Sequence, residues 1–114
     1  MKLEICKKEY ESVGLSTQKY KKLISAMEEI GNKNFFESPF EEKELRKMAE
    51  IISDATDGKA DVEKIMDEGD VVEIVIAFNR IQADVNIRWG KAIEAMKSDF
   101  FTGAEGQESS AQTS

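Results

Sequence analysis

The side chains that most often carry chemistry are scarce in this sequence. There is no histidine, so the commonest general base and the commonest transition-metal ligand are both missing. Cys6 is the single cysteine, which rules out an intramolecular disulfide and a cysteine-rich zinc site. The stretch "DATDGKADVEK" suggests a calcium loop. With Gly58 at the loop's invariant glycine, however, Ser53 and Ala55 take the first two ligand positions and Lys64 the bidentate acid position, so it reads as a connection between helices. "GKAD" and "WGKA" lack the upstream glycine and following Ser/Thr of a phosphate loop. Adjacent acids such as Glu28-Glu29 and Glu41-Glu42 fall on expected polar faces, whereas paired acids that catalyse need one group desolvated. The expectation is a protein without catalytic residues, cofactor or metal.

Composition narrows the remaining classes. A chain of 114 residues has the length of one modest domain, and 40% hydrophobic with 34% charged residues suits a globular one. The net charge of −7 argues against a nucleic-acid binder. Residues 1–33 hold seven lysines against five glutamates (+2), and residues 34–114 hold nine basic against eighteen acidic residues (−9). Such asymmetry can steer a partner or simply be solvated surface. "MKLEICKKEYES" has no apolar signal region, and the apolar run Val71–Phe78, broken by Glu73, is too short to cross a membrane. With a lone cysteine, these features point to a cytoplasmic protein, in a host cell's cytoplasm if it is viral.

The elements follow from periodicity. Leu3 and Ile5 alternate with Lys2 and Glu4, with Tyr10 and Val13 beyond, which predicts a short strand or hairpin despite the lack of an Asn-Gly or Asp-Gly turn. Ser16 or Thr17 can cap a first helix with Tyr20, Leu23, Ile24, Met27 and Ile30 inward, stopped at Gly31. In "SPFE", Ser38 can cap a second helix, Pro39 can open it and Glu41 can complete a capping box. Leu45, Met48, Ile51, Ile52 and Ala55 form its stripe, ended by Asp57-Gly58. A short helix over Val62–Glu68 precedes Gly69, and Asp70-x-x-Glu73 opens a long fourth helix. The predicted fold is mainly α, about four helices with a long C-terminal one and a short N-terminal hairpin or strand. One domain is expected over residues 1–102. The tail from residue 103, "GAEGQESSAQTS", has nothing large to bury and is expected to be disordered.

The long helix changes character midway. With Val71 at heptad position a, the a and d positions read Val71, Ile74, Phe78, Ile81, Val85, Arg88, Ala92 and Ala95. Val72, Val75 and Ile76 widen the apolar surface of its first turns beyond a stripe, and a helix apolar all round must be buried all round. Either three short helices cover it, or another chain closes part of it. Val71, Val72, Ile74, Val75 and Ile76 are therefore candidate interface residues. Trp89, at the margin of the seam, joins them as interface anchor or as a lid on the core. From Asp84 to Met96 the helix reads as ordinarily amphipathic, with Asn86, Arg88, Lys91 and Glu94 on its polar face.

The lysine-rich opening "MKLEICKKEYES", the acidic helical middle, the order "ADVEKIMDEGDVVEIVIAF" before a long final helix and the Ser/Gln-rich end together resemble the small tail assembly chaperones of long-tailed bacteriophages and related prophages. Nearly the whole chain is covered, though no position is diagnostic. Relatives tend to place a glycine turn in the opening hairpin where this chain has Cys6-Lys7-Lys8. The resemblance implies a non-catalytic, self-associating helical protein that binds the tape measure protein. It would keep that partner soluble while tail tube protein subunits polymerise round it, with a frameshifted longer form commonly made as well. The competing reading is a small acidic inhibitor that mimics nucleic acid, of the anti-restriction or anti-CRISPR type, drawn from the −9 of residues 34–114.

Overall fold

The computed structural model describes residues 1–31 and 40–104, with side chains described as far as residue 98. Two antiparallel strands, β1 (Lys2–Ile5) and β2 (Lys8–Glu11), come first. Leu3 pairs with Tyr10 and Ile5 with Lys8, so the alternation places Leu3 and Ile5 in the core while Lys2 and Glu4 face outward. The connecting residues, Cys6 and Lys7, both have positive φ, 54° and 61°. That is the backbone of a two-residue type I′ turn, usually built from Asn-Gly. A non-glycine residue in this region costs roughly 1–2 kcal/mol. Burying Leu3 and Ile5 returns about 1.5–3 kcal/mol each, and a one-residue slip of the strand would turn both outward. The Cys6 N–H also donates to Glu73 Oε1 at 3.0 Å, which fixes the turn from outside the hairpin. The hairpin thus forms without the turn residues that would have announced it.

Helix α1 (Thr17–Ile30) is capped by Ser16, whose Oγ accepts from the Lys19 N–H. Its buried face is Leu23, Ala26 and Ile30; Tyr20, Ile24 and Met27 are half-buried at its margins. Helix α2 (Glu42–Ala55) starts later than the "SPFE" reading places it. Glu41 is its N-cap and Glu44 the reciprocal partner, accepting the Glu41 N–H, while Ser38 and Pro39 lie outside the described residues. The capping box is real but shifted by three residues, because Glu41-x-x-Glu44 offers the same pattern as Ser38-x-x-Glu41. Met48, Ala49, Ile51, Ile52 and Ala55 are buried, and Leu45 half-buried.

Thr56 closes α2. Its buried Oγ1 donates to Ile52 O at 3.0 Å and accepts the Ala60 N–H at 3.1 Å, while Asp57 and Gly58 take left-handed φ values of 56° and 78°. The calcium-like stretch is thus a helix-to-helix turn. Helix α3 (Val62–Glu68), capped by Asp61, buries Ile65 and is linked to α2 by Arg46 on Glu63 at 2.7 Å.

The lysines of α1 grip the end of α2. Lys19 Nζ donates to Asp54 O at 3.2 Å and lies 3.6 Å from Asp57, while Lys22 sits 3.5 Å from Asp54. Cations at a helix C-terminus are favourable, so part of the basic head is used within the chain.

Helix α4 (Val71–Ala104) opens on Asp70, whose Oδ1 accepts from the Val72 and Glu73 N–H groups. Glu73 does not complete the box as the sequence suggested, since its carboxylate holds Cys6 instead. Ile74, Ala77, Phe78 and Ile81 form the buried stripe. The expected single domain divides after Gln82. Met1–Gln82 is one compact unit, and from Ala83 onward is a second that contains the rest of α4. The physical reason is burial, because no side chain of residues 83–98 is buried. Helix α4 also includes Gly103 and Ala104, two residues of the expected tail; the remainder of that tail lies outside the described residues.

Two stability effects follow. Phe78→Ala should cost about 3–5 kcal/mol, or abolish folding, as for a core aromatic, read by urea denaturation. Replacing Cys6-Lys7 with Asn-Gly should raise stability by about 1 kcal/mol or more, because the left-handed turn is then relaxed. An unchanged urea midpoint would show that the turn carries no strain.

Candidate functional site

The potentially reactive groups are dispersed. Among the described residues no three His, Cys, Asp or Glu side chains are grouped so as to hold a metal. The Cys6 thiol is pushed above its usual value, first by burial and then by Glu68 and Glu73, with Lys64 opposing. It is therefore held protonated rather than activated as a nucleophile. Glu29 is 3.5 Å from Lys47. The exposed Glu63 carboxyl lies below the usual carboxylate range because Arg46 hydrogen-bonds it and lies close in charge; an exposed pair of this kind contributes little.

What the fold leaves available is apolar surface, most of it on α4. Of the candidate interface residues in its first turns, Val71, Val72 and Ile76 are exposed, Val72 most of all at 61%. Val75 is half-buried. Ile74 is corrected: it is 2% exposed and packs inward with Phe78, so it cannot present a surface. The helical period decides this, since Ile74, Ala77, Phe78 and Ile81 share one face and Val72 and Ile76 project from another.

Trp89 is 48% exposed in the second unit. It is not a core lid there. Around it lie Val85, which the heptad reading held and which is half-buried, and two residues it missed, Ile93 and Met96, both exposed. Val85, Trp89, Ile93 and Met96 stand at spacings of four, four and three, a single stripe along the helix. Starting the heptad at Val71 had placed Arg88 and two alanines in the seam instead. Ile87, also exposed, lies off this stripe, so the helix is less cleanly polar on its other side than expected. Arg88 reaches Asp84 one turn back at 3.4 Å.

The first unit has an apolar groove of about 290 Å³ where the end of α1, the start of α2 and the first half of α4 converge. Met27, Ile30, Phe40, Met48, Val75 and Phe78 supply its walls, with Asn79 and Gln82 at its polar edge. No sequence signal announces it, because its walls come from three separate segments. Its volume is at the lower limit of small-molecule sites.

No family model, curated protein or solved structure matches the chain.

Gly90 sharpens the picture of the second unit. It stands inside α4, and a Cβ built on it meets nothing within 4 Å. Glycine inside a helix costs roughly 0.5–1 kcal/mol relative to alanine, and no contact among the described residues calls for it here. Gly90→Ala should therefore slow amide exchange across residues 83–98 by the equivalent of about 0.5–1 kcal/mol. Faster exchange would reveal a close approach that the added methyl disrupts.

Proposed function

We propose that this chain is a non-catalytic tail assembly chaperone that self-associates and holds the tape measure protein of a long-tailed phage through α4, acting in the host cytoplasm. One observation carries the reading. Residues 83–98 form helix without burying a single side chain, and Ile87, Ile93 and Met96 are exposed. An isolated helix of this length is marginal in water, and most helical stability in proteins comes from packing an apolar face. Such a segment is completed by a partner. Helix-in-groove recognition, with anchors at one-turn spacings, fits both the stripe and a helix-rich client. The absence of histidine, the protonated Cys6 and the dispersed carboxylates add no competing chemistry.

The test is co-expression with a long, helix-rich tape measure protein, best taken from the reading frame next to this gene. The wild-type chain should raise the client's soluble fraction several-fold and co-purify with it at elevated salt. Trp89→Asp/Ile93→Asp should lose both effects, because charges carried into an apolar interface are desolvated and unpaired. A client equally soluble with the double variant would refute the reading. Binding instead to a basic nuclease, abolished by moderate salt, would transfer the assignment to a nucleic-acid mimic.

A further inference from the structure

We propose that β1 pairs antiparallel with β1 of a second copy across a two-fold axis at Leu3, joining two hairpins into one four-stranded sheet. This rests on the self-association in the reading above and gives it a surface, one that involves neither α4 nor the client. The hairpin register decides which backbone groups are available. A two-residue turn makes Ile5 and Lys8 a hydrogen-bonded pair, so Leu3–Tyr10 and Met1–Ser12 are hydrogen-bonded as well. The Ser12 N–H accordingly donates to Met1 O at 2.8 Å. Lys2 and Glu4 fall between these pairs, and their N–H and C=O groups are directed away from β2. No other described residue hydrogen-bonds those groups. Buried backbone groups are nearly always paired, so this edge is open to water. Both residues are exposed.

The charges select the partner. Antiparallel pairing centred on Leu3 sets Lys2 of each copy opposite Glu4 of the other, giving two ion pairs and four backbone hydrogen bonds. Sliding two residues either way sets Lys2 against Lys2 or Glu4 against Glu4, and sliding one residue misaligns the outward groups. The register with the fullest overlap is therefore also the one with matched charge. The edge of β2 behaves differently. Its outward groups belong to Glu9 and Glu11, and self-pairing there sets glutamate against glutamate, the usual way in which a strand edge is guarded. Within the hairpin Glu4 faces Glu9, a like-charge pair, and Glu4 has no salt bridge among the described residues. Lys2 reaches Glu9 at 3.8 Å with both side chains largely exposed, a weak contact that leaves Lys2 able to serve a second carboxylate. Glu11 is taken by the Met1 amino group at 3.0 Å. Leu3 and Ile5 in the core and the Cys6–Glu73 hydrogen bond hold the edge in place beforehand. The contact is isologous, so it closes at two copies, and strands of this length make it a small, dissociable one.

The experiment exchanges the charges. Light-scattering mass is followed over a concentration series at low salt for the wild type, Lys2→Glu, Glu4→Lys, the double exchange Lys2→Glu/Glu4→Lys and an equimolar mixture of the two single variants. Thermal unfolding is recorded alongside, and all variants should melt near the wild type because both positions are exposed. Each single variant should associate about tenfold or more weakly, since two attractive pairs become two repulsive ones. The double exchange should associate as the wild type does. The mixture should form a pair of unlike variants, resolved by native mass spectrometry. Damage to the fold or a change in net charge cannot produce those two recoveries. Glu4→Pro, which removes an outward N–H and none used within the hairpin, should also weaken association.

A monomeric wild type at high concentration, single variants that associate as the wild type does, a double exchange that stays monomeric, or a mixture without preference for the unlike pair would each overturn the proposal. Client solubilisation is measured on the same proteins. If these variants leave association unchanged while the wild type keeps the tape measure protein soluble, the strand pairing falls and the chaperone reading stands. If charge exchange controls association but no copy keeps the client soluble, the chaperone reading falls and the strand pairing stands.

Discussion

The fold of the first unit depends on the burial of one short stripe, Ile74, Ala77, Phe78 and Ile81, on the first half of α4. Met48, Ile51 and Ile52 of α2, Leu23 of α1, Ile65 of α3 and Leu3 and Ile5 of the hairpin complete the same small core. A domain this short has few large side chains to spare, so each counts for a sizeable part of its stability. The hairpin shows how strongly burial governs. Two residues without glycine's freedom hold left-handed backbone at its turn because the register that buries Leu3 and Ile5 allows no other. Glu73 gives up a local capping role to hold the Cys6 N–H, so the start of α4 and the hairpin turn are joined by one hydrogen bond.

The same shortage of material explains what stays uncovered. Three short helices and a hairpin bury one face of α4 between Val71 and Gln82 and leave Val71, Val72 and Ile76 exposed. In the second unit nothing is buried through Ser98, although the helix continues and carries its own apolar stripe. Helix without a buried side chain among the described residues, with a glycine in its middle, is the observation on which the proposed partner rests. Among the described residues no three His, Cys, Asp or Glu side chains are grouped so as to hold a metal.

Charge has a divided use. The lysines of α1 close on Asp54 and Asp57 at the end of α2, and Lys47 on Glu29, so the contrast between a basic head and an acidic body is partly neutralised inside the fold.

Local rules determined a good deal from the sequence alone: four helices, the Asp70 cap, a cap for α1 at Ser16 or Thr17, the α3 limits Val62–Glu68, and most of the inward faces of α1 and α2, because periodicity and capping act over four residues or fewer. The same rules misplaced the start of α2, where Ser38-x-x-Glu41 and Glu41-x-x-Glu44 offered two equivalent boxes, and put Ile74 among surface residues because the run "VVEIVIAF" is apolar at nearly every position. Only tertiary structure decided which side of that run faces inward, since the answer depends on where α1, α2 and the hairpin stop. It also decided that Glu73 serves Cys6, a partner 67 residues away, and that three distant segments enclose a groove. Long-range packing carries no signature in the spacing of neighbours, and so those features became visible only in the folded chain.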